Sequence, residues 1–262
     1  MKAKPYVGVT GSISIREVSD VCTTFQSLGF SLASNSMPMI GFLVSYKTLN
    51  GIPNQNRRYP SIALLAPLLS VVPGNVFTTI HYNTREVKTL ADQVSKLFEV
   101  IYEQRLCRAI QLNIPWPDLD QVETIKEKYP EIKIIFQASH NMLENTSPRA
   151  LSLGIRIYGN TLSYVLIDPS GGRGDPFDID RSLDIYHEIN AECPELTVGF
   201  AGGFNGENTR SRLVELVTRT GERAFSIDAE GGLRDKITDR YGDDLLNIRK
   251  VREYLQAASI SI

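Results

Sequence analysis

The sequence predicts a (β/α)8 barrel, a closed parallel sheet wrapped by helices. Three observations carry that expectation. Short apolar runs alternate with amphipathic stretches eight times, the pattern of a parallel sheet. The 262 residues suit one such barrel, whereas an open doubly wound sheet has about five or six strands. The first apolar run is followed by Thr10-Gly11-Ser12 and not by G-x-G-x-x-G, so a dinucleotide-binding fold has no support. No low-complexity segment or linker divides the chain, and residues 1–262 are read as a single barrel domain.

Each element follows from local pattern. Residues 6–9 are the first strand. Val18, Val21, Cys22, Phe25 and Leu28 then recur at helical spacing on one face, and Gly29 stops the helix. Residues 39–44 are the second strand. Residues 46–60, polar and rich in Gly and Asn, read as a loop, expected to act as a lid. Residues 61–69 are helical, and residues 76–82, β-branched and aromatic, are the third strand. Residues 84–103 form a long helix with Val87, Leu90, Val94, Leu97 and Val100 on one face. Residues 109–112 and 132–136 are the fourth and fifth strands, with a helix capped by Asp118 between them. Residues 140–160 show no clear period. Residues 164–167 form a strand running into Asp168, followed by a helix over 178–191. Residues 197–201 and 224–227 are the last strands, separated by a helix carrying Leu213, Leu216 and Val217. The final helix is placed from Asp243, with Leu245, Ile248, Val251 and Leu255 inward.

Composition narrows the function classes. Lys+Arg 28 against Asp+Glu 30 gives a net charge of -2, with no reason to expect nucleic acid or an anionic membrane as partner. No apolar run approaches the roughly 18 residues of a membrane helix, and residues 5–10 are too short for a signal peptide core. Cys22, Cys107 and Cys193 are odd in number and widely spaced, which argues against disulfides and zinc and for a cytoplasmic location. No ligand spacing specifies a metal site. The oligomeric state stays open.

Active sites of these barrels lie at the C-terminal ends of the strands. The residues there are Thr10-Gly11, Ser45-Tyr46-Lys47, Arg58-Tyr59, His81, Asn113, Gln137, His140, Asp168 with Gly171-Gly172-Arg173-Gly174, Gly202-Gly203, and Asp228-Ala229-Glu230-Gly231-Gly232. Barrels often bind phosphate after strands seven and eight, where backbone N–H groups are the donors. Glycine pairs in both loops, allowing close approach and φ > 0, point to a phosphorylated ligand at Gly202, Gly203, Ala229, Glu230 and Gly231. They equally suit tight turns, and the Glu230 carboxylate would repel a phosphate unless it points away.

Several segments resemble phosphoribosylanthranilate isomerase, a (β/α)8 enzyme of tryptophan biosynthesis. Ala109-Ile110-Gln111-Leu112 is similar to that family's Q-L-H-G, with Asn113 in place of His. Val165-Leu166-Ile167-Asp168 with Gly171-Gly172-Arg173-Gly174 and Phe177-Asp178 resembles L-x-D … G-G-T-G-x-x-F-D-W. Phe200-Ala201-Gly202-Gly203-Phe204 through Glu207-Asn208 resembles A-G-G-L-x-x-E-N. Gly232-Leu233-Arg234-Asp235-Lys236 is similar to G-x-K-D, and Arg58-Tyr59 to S-x-R-Y. The resemblance spans nearly the whole chain in patches.

The resemblance implies an Amadori rearrangement of an aminoaldose phosphate into an aminoketose phosphate, with no cofactor. It places the ring-opening acid at Asp168 and a carboxylate clamp at Arg58. The family's base is the Cys of K-x-C-G-x-T, where this chain has Pro5-Tyr6-Val7-Gly8-Val9-Thr10, so Val7 stands at the thiol's position. Valine takes no proton. His81, at a strand end and with a suitable intrinsic pKa, is the expected base; His140, Asp228 and Glu230 are further candidates. The expected function is acid–base isomerisation of a small phosphorylated sugar derivative. The alternatives are a lyase or aldolase, for which Lys47 and Lys236 give thin support, and a non-catalytic barrel that binds a phosphorylated metabolite.

Overall fold

The computed structural model describes residues 2–171, 178–221 and 224–259. Eight parallel strands close into a barrel in sequence order: β1 (Tyr6–Thr10), β2 (Met37–Ser45), β3 (Phe77–Asn83), β4 (Ala109–Leu112), β5 (Lys133–Ser139), β6 (Tyr164–Asp168), β7 (Thr197–Ala201) and β8 (Ser226–Ala229). Closure is made at β1, where Gly8 lies between Met39 of β2 and Asp228 of β8. The crossovers carry α1 (Ile15–Ser27), α2 (Tyr46–Leu49), α3 (Ile62–Ser70), α4 (Leu90–Ile101), α5 (Leu119–Lys128), α6 (His140–Asn145), α7 (Pro148–Arg156), α8 (Ile179–Glu192) and α9 (Thr209–Thr220). A hairpin of β9 (Arg234–Lys236) and β10 (Asp244–Leu246) and a last helix, α10 (Ile248–Ser259), follow β8.

Alternation along the strands builds two cores. Tyr6, Met39, Phe77, Ile135, Tyr164 and Leu166 fill the barrel, with the Tyr6 and Tyr164 rings edge to face at 5.5 Å. Val7, Val9, Ile40, Ile80, Ile110 and Val165 face the other way and pack against helix residues such as Val18, Leu90, Val94 and Leu97. The two faces are buried by different partners, so the strands read as continuous apolar runs.

The helix ends follow local chemistry. Ser14 caps α1 through Glu17 N–H, and the Glu17 carboxylate accepts from Ile13 N–H, a reciprocal capping pair. Ser147 caps α7 with Pro148 at its first position. Gly221, at φ 70, closes α9 in the left-handed region.

Four expectations are corrected. Residues 140–160 contain two short helices, α6 and α7. The stretch 46–60 opens with α2. The helix expected from residue 84 begins at Leu90, after a 3₁₀ turn at Val87–Thr89. The last helix begins at Ile248, because Asp243-Asp244-Leu245 belongs to the hairpin and Leu245 is exposed. The hairpin was hidden from pattern reading. Its strands are three residues each, and charged partners elsewhere in the chain fix them. Among the described residues no helix is long and apolar enough to cross a membrane.

Candidate active site

The C-terminal ends of the strands surround a small cleft. Its wall includes Tyr59, His81, Gln111, Asn113, Gln137, Asp168, Ser170, Asp228, Glu230 and Tyr241. Asp168, Gln137, Gln111, His81, Thr10 and Asp228, from six strands, form one chain of hydrogen bonds. Asp168 Oδ1 accepts from Ser170 N–H (3.0 Å), Ser170 Oγ (3.1 Å) and Gly171 N–H (2.9 Å), and Oδ2 from Gln137 Nε2 (2.6 Å). Gln137 Oε1 accepts from Gln111 Nε2 (2.8 Å), which also meets His81 Nδ1 (3.2 Å). His81 Nε2 lies 3.4 Å from Thr10 Oγ1, which donates to Asp228 at 3.0 and 3.1 Å.

The donor count fixes the state of the ring. Gln111 Nε2 has two protons, one for Gln137 and one for His81 Nδ1. His81 is therefore neutral, with its proton on Nε2 pointing at Thr10. Burial pushes its pKa down to about 3, so it does not charge at neutral pH. One acceptor of this chain is left over: Gln111 Oε1, in a residue 2% exposed, has no partner among the described residues. It fits a hydroxyl or N–H group of a ligand.

Two glycines make room for this network. A Cβ on Gly8 would sit 2.5 Å from Asp228 Oδ1, and one on Gly41 would sit 2.7 Å from His81 Nε2. Burial pushes the Asp168, Asp228 and Glu230 carboxyls upward. Asp228 is pushed furthest, since Thr10 offsets its burial only in part and the charges of Glu230 and Asp168 add to it.

Arg58 lies outside the cavity wall and its guanidinium is engaged by the protein. Nε and Nη2 reach Asp244 (3.1 and 2.6 Å), and Nη1 reaches Glu230 Oε1 (2.6 Å). Arg234 Nε binds the other Asp244 oxygen at 2.5 Å. Two arginines and two carboxylates thus form a buried, charge-balanced quartet. The carboxylate clamp expected at Arg58 is directed at Asp244 and Glu230. This also turns the Glu230 charge toward an arginine. Arg57 N–H donates to Gly242 O (2.9 Å), so the second half of the expected lid is tied to the hairpin as a wall of the mouth.

The glycine loops meet one expectation and alter another. Gly202 (φ 108) and Gly203 (φ 63) lie in the left-handed region, whereas Gly231 opens a 3₁₀ turn without it. Gly232 is needed for space, because a Cβ there would meet the Phe204 carbonyl. The carbonyls of Gly202 and Gly203 accept from Arg212 Nη1 (2.9 Å) and Asn208 Nδ2 (2.7 Å). The N–H groups of Gly202, Gly203 and Gly231, all on the cavity wall, have no acceptor among the described residues. Ala229 is corrected: it pairs with Val9 and packs in the helix-facing core, off the cavity wall.

The sequence reading is also corrected at Val7. Its side chain packs among the helix-facing residues, so a thiol at residue 7 would not reach the mouth. The mouth-facing residue at the end of β1 is Thr10. His81, Asp168, Asp228 and Glu230 do converge. His140 lies on α6, half exposed, and pairs with Glu144 at 3.2 Å. Among the described residues no lysine lines the cavity, so a Schiff-base reaction has no nucleophile there. Burial pushes the Cys22, Cys107 and Cys193 thiols upward, to about 11, 12 and 11. Gly172, Arg173, Gly174 and Phe177 fall outside the described residues.

Thr10, Gln111 and Gln137 were missed as site residues, although Thr10 and Gln137 were in view at strand ends and Gln111 within the fourth strand's motif. The available signal was a polar side chain on the barrel-facing parity of an otherwise apolar strand.

No known family's sequence profile matches the chain, and no curated protein matches it. In structure it is similar to phosphoribosylanthranilate isomerases. That of Thermus thermophilus superposes with a TM-score of 0.60 at 13% identity, covering 97% of this chain and 98% of that one. That of Thermotoga maritima gives 0.60 at 17% identity with the same coverage. A TrpF from Jonesia denitrificans gives 0.58 at 14%, covering 97% of this chain and 96% of that one. The fold is thus a (β/α)8 barrel like that of the phosphoribosylanthranilate isomerases.

Proposed function

We propose that this barrel is an acid–base isomerase acting on a small phosphorylated sugar derivative, by an Amadori-type rearrangement. The observation that carries the reading is the pair of carboxyl groups, Asp168 and Asp228, at the ends of β6 and β8 in one mouth. The hydrogen-bond chain described above joins them. Aldose–ketose conversion needs one group that gives a proton to an oxygen and one that takes a proton from carbon. Two carboxyls whose surroundings differ supply both. His81 serves in this reading as a neutral spacer that positions Thr10 and Asp228, since both ring nitrogens are engaged. Arg58 holds Glu230 in place. The free N–H groups of Gly202, Gly203 and Gly231 are suited to a phosphate at the rim.

The test is turnover of phosphoribosylanthranilate and related aminoaldose phosphates by purified protein, with loss of substrate fluorescence as the signal for the former. Saturable turnover is the expected result. Tight binding without turnover of any of them would instead support the non-catalytic, ligand-binding barrel.

A further inference from the structure

The two carboxyl groups of the mouth have different hydrogen-bond shells. Asp168 accepts from two backbone N–H groups, an amide and a hydroxyl. Neither backbone N–H can turn round to accept, so this shell is built for a charged carboxylate. Oδ2, which among the described residues meets Gln137 alone, keeps a lone pair for a ligand. Asp228 meets the Thr10 hydroxyl, which accepts as readily as it donates, and the N–H of Ala229. Among the described residues, the other groups facing it bring no unmatched positive charge. They are the neutral His81 of β3 at 4.0 Å, the Tyr6 and Tyr254 hydroxyls of β1 and α10, and the carboxyls of Asp168 and Glu230. The charges of Arg58 and Arg234 are matched by Asp244 and Glu230.

We propose that Asp228 carries the proton in the resting protein and acts as the acid, while Asp168 is the ionised base, the reverse of what the family resemblance implies. The proposal rests on the isomerase reading above. Asp228 gives its proton to the ring oxygen as the C1–O bond breaks and the nitrogen lone pair forms a C=N⁺ bond. Asp168 takes the proton from C2, and that C–H pair becomes the C1=C2 bond as the C=N pair returns to nitrogen. Asp168 then returns its proton to C1, while the enol O–H proton passes to Asp228 and leaves the C2 carbonyl. Each carboxyl ends as it began, and no oxidant, reductant or cosubstrate is consumed. The Asp228 carboxyl is also raised further than that of Asp168, because fewer hydrogen bonds offset its burial and the charges of Glu230 and Asp168 add to it, which agrees with this order.

Infrared spectroscopy of the full chain at neutral pH tests the assignment without turnover, because a protonated carboxyl has its own C=O stretch. A band is expected in the wild type, retained in Asp168→Asn, lost in Asp228→Asn and shifted in Thr10→Val, which keeps both carboxyls. Circular dichroism checks that each variant is folded. Loss of the band in Asp168→Asn or Glu230→Gln, or its absence from the wild type, would overturn the proposal. Turnover with the band at Asp168 would defeat this assignment alone. A band at Asp228 without turnover of any aminoaldose phosphate would defeat its catalytic use together with the isomerase reading.

Discussion

Asp168→Asn is expected to lower kcat/KM for the isomerisation by about 10²- to 10⁴-fold, the usual contribution of a positioned proton-transfer group, with KM little changed. The protein should stay folded. Asn keeps a carbonyl oxygen for the N–H groups of Ser170 and Gly171, which hold the β6 loop. Its NH2 group then faces Gln137 Nε2, two donors together. Turning over the Gln137 and Gln111 amides relieves this, because Gln111 Oε1 is free to accept. His81 would then carry its proton on Nδ1 in place of Nε2. Nitrogen-15 spectra of the ring report that exchange, and steady-state kinetics report the rate. An unchanged rate would remove Asp168 from the chemistry.

Arg58→Met is expected to destabilise the fold by about 3–5 kcal/mol, the usual cost of leaving buried charges without their partner. Met keeps a long apolar stem, so most of the loss comes from Asp244 and Glu230. The effect should depend on pH. Burial works against the Asp244 charge, but Arg58 and Arg234 outweigh it and hold the pKa below the usual carboxylate value. A depressed carboxylate stabilises the fold above its unfolded pKa, and that contribution is lost as pH falls through the folded value. The gap between wild type and variant should therefore be full at neutral pH and narrow in acid, where Asp244 and Glu230 protonate in either protein. Urea denaturation at several pH values measures it. A gap that is small at pH 7, or constant with pH, would mean that the quartet does not hold the wall of the mouth.

The barrel was legible because its signal is periodic and repeated: eight apolar runs and the amphipathic segments between them. The site was half legible. Asp168, His81, Asp228 and Glu230 could be named because strand ends are where such barrels do chemistry. Three matters were not legible. Parity was one: Val7 and Thr10 lie in the same short strand, but only the structure shows that Thr10 faces the mouth and Val7 the helices. Partnership was another, since nothing in Arg58-Tyr59 reveals that Asp244, 186 residues away, occupies the guanidinium. Protonation was the third, because His81 has a suitable intrinsic pKa until burial and two occupied ring nitrogens make it a poor base.

The account turns on a sugar derivative seated between Asp168 and Asp228. A crystal structure of this protein with a reduced, non-reacting aminoketose phosphate tests that most directly. The account predicts the sugar carbons between the two carboxyl groups, a ligand hydroxyl on Gln111 Oε1, and the phosphate on the N–H groups of Gly202, Gly203 and Gly231. A ligand that stays unbound at saturating concentration, or a phosphate seated away from those glycines, would contradict it.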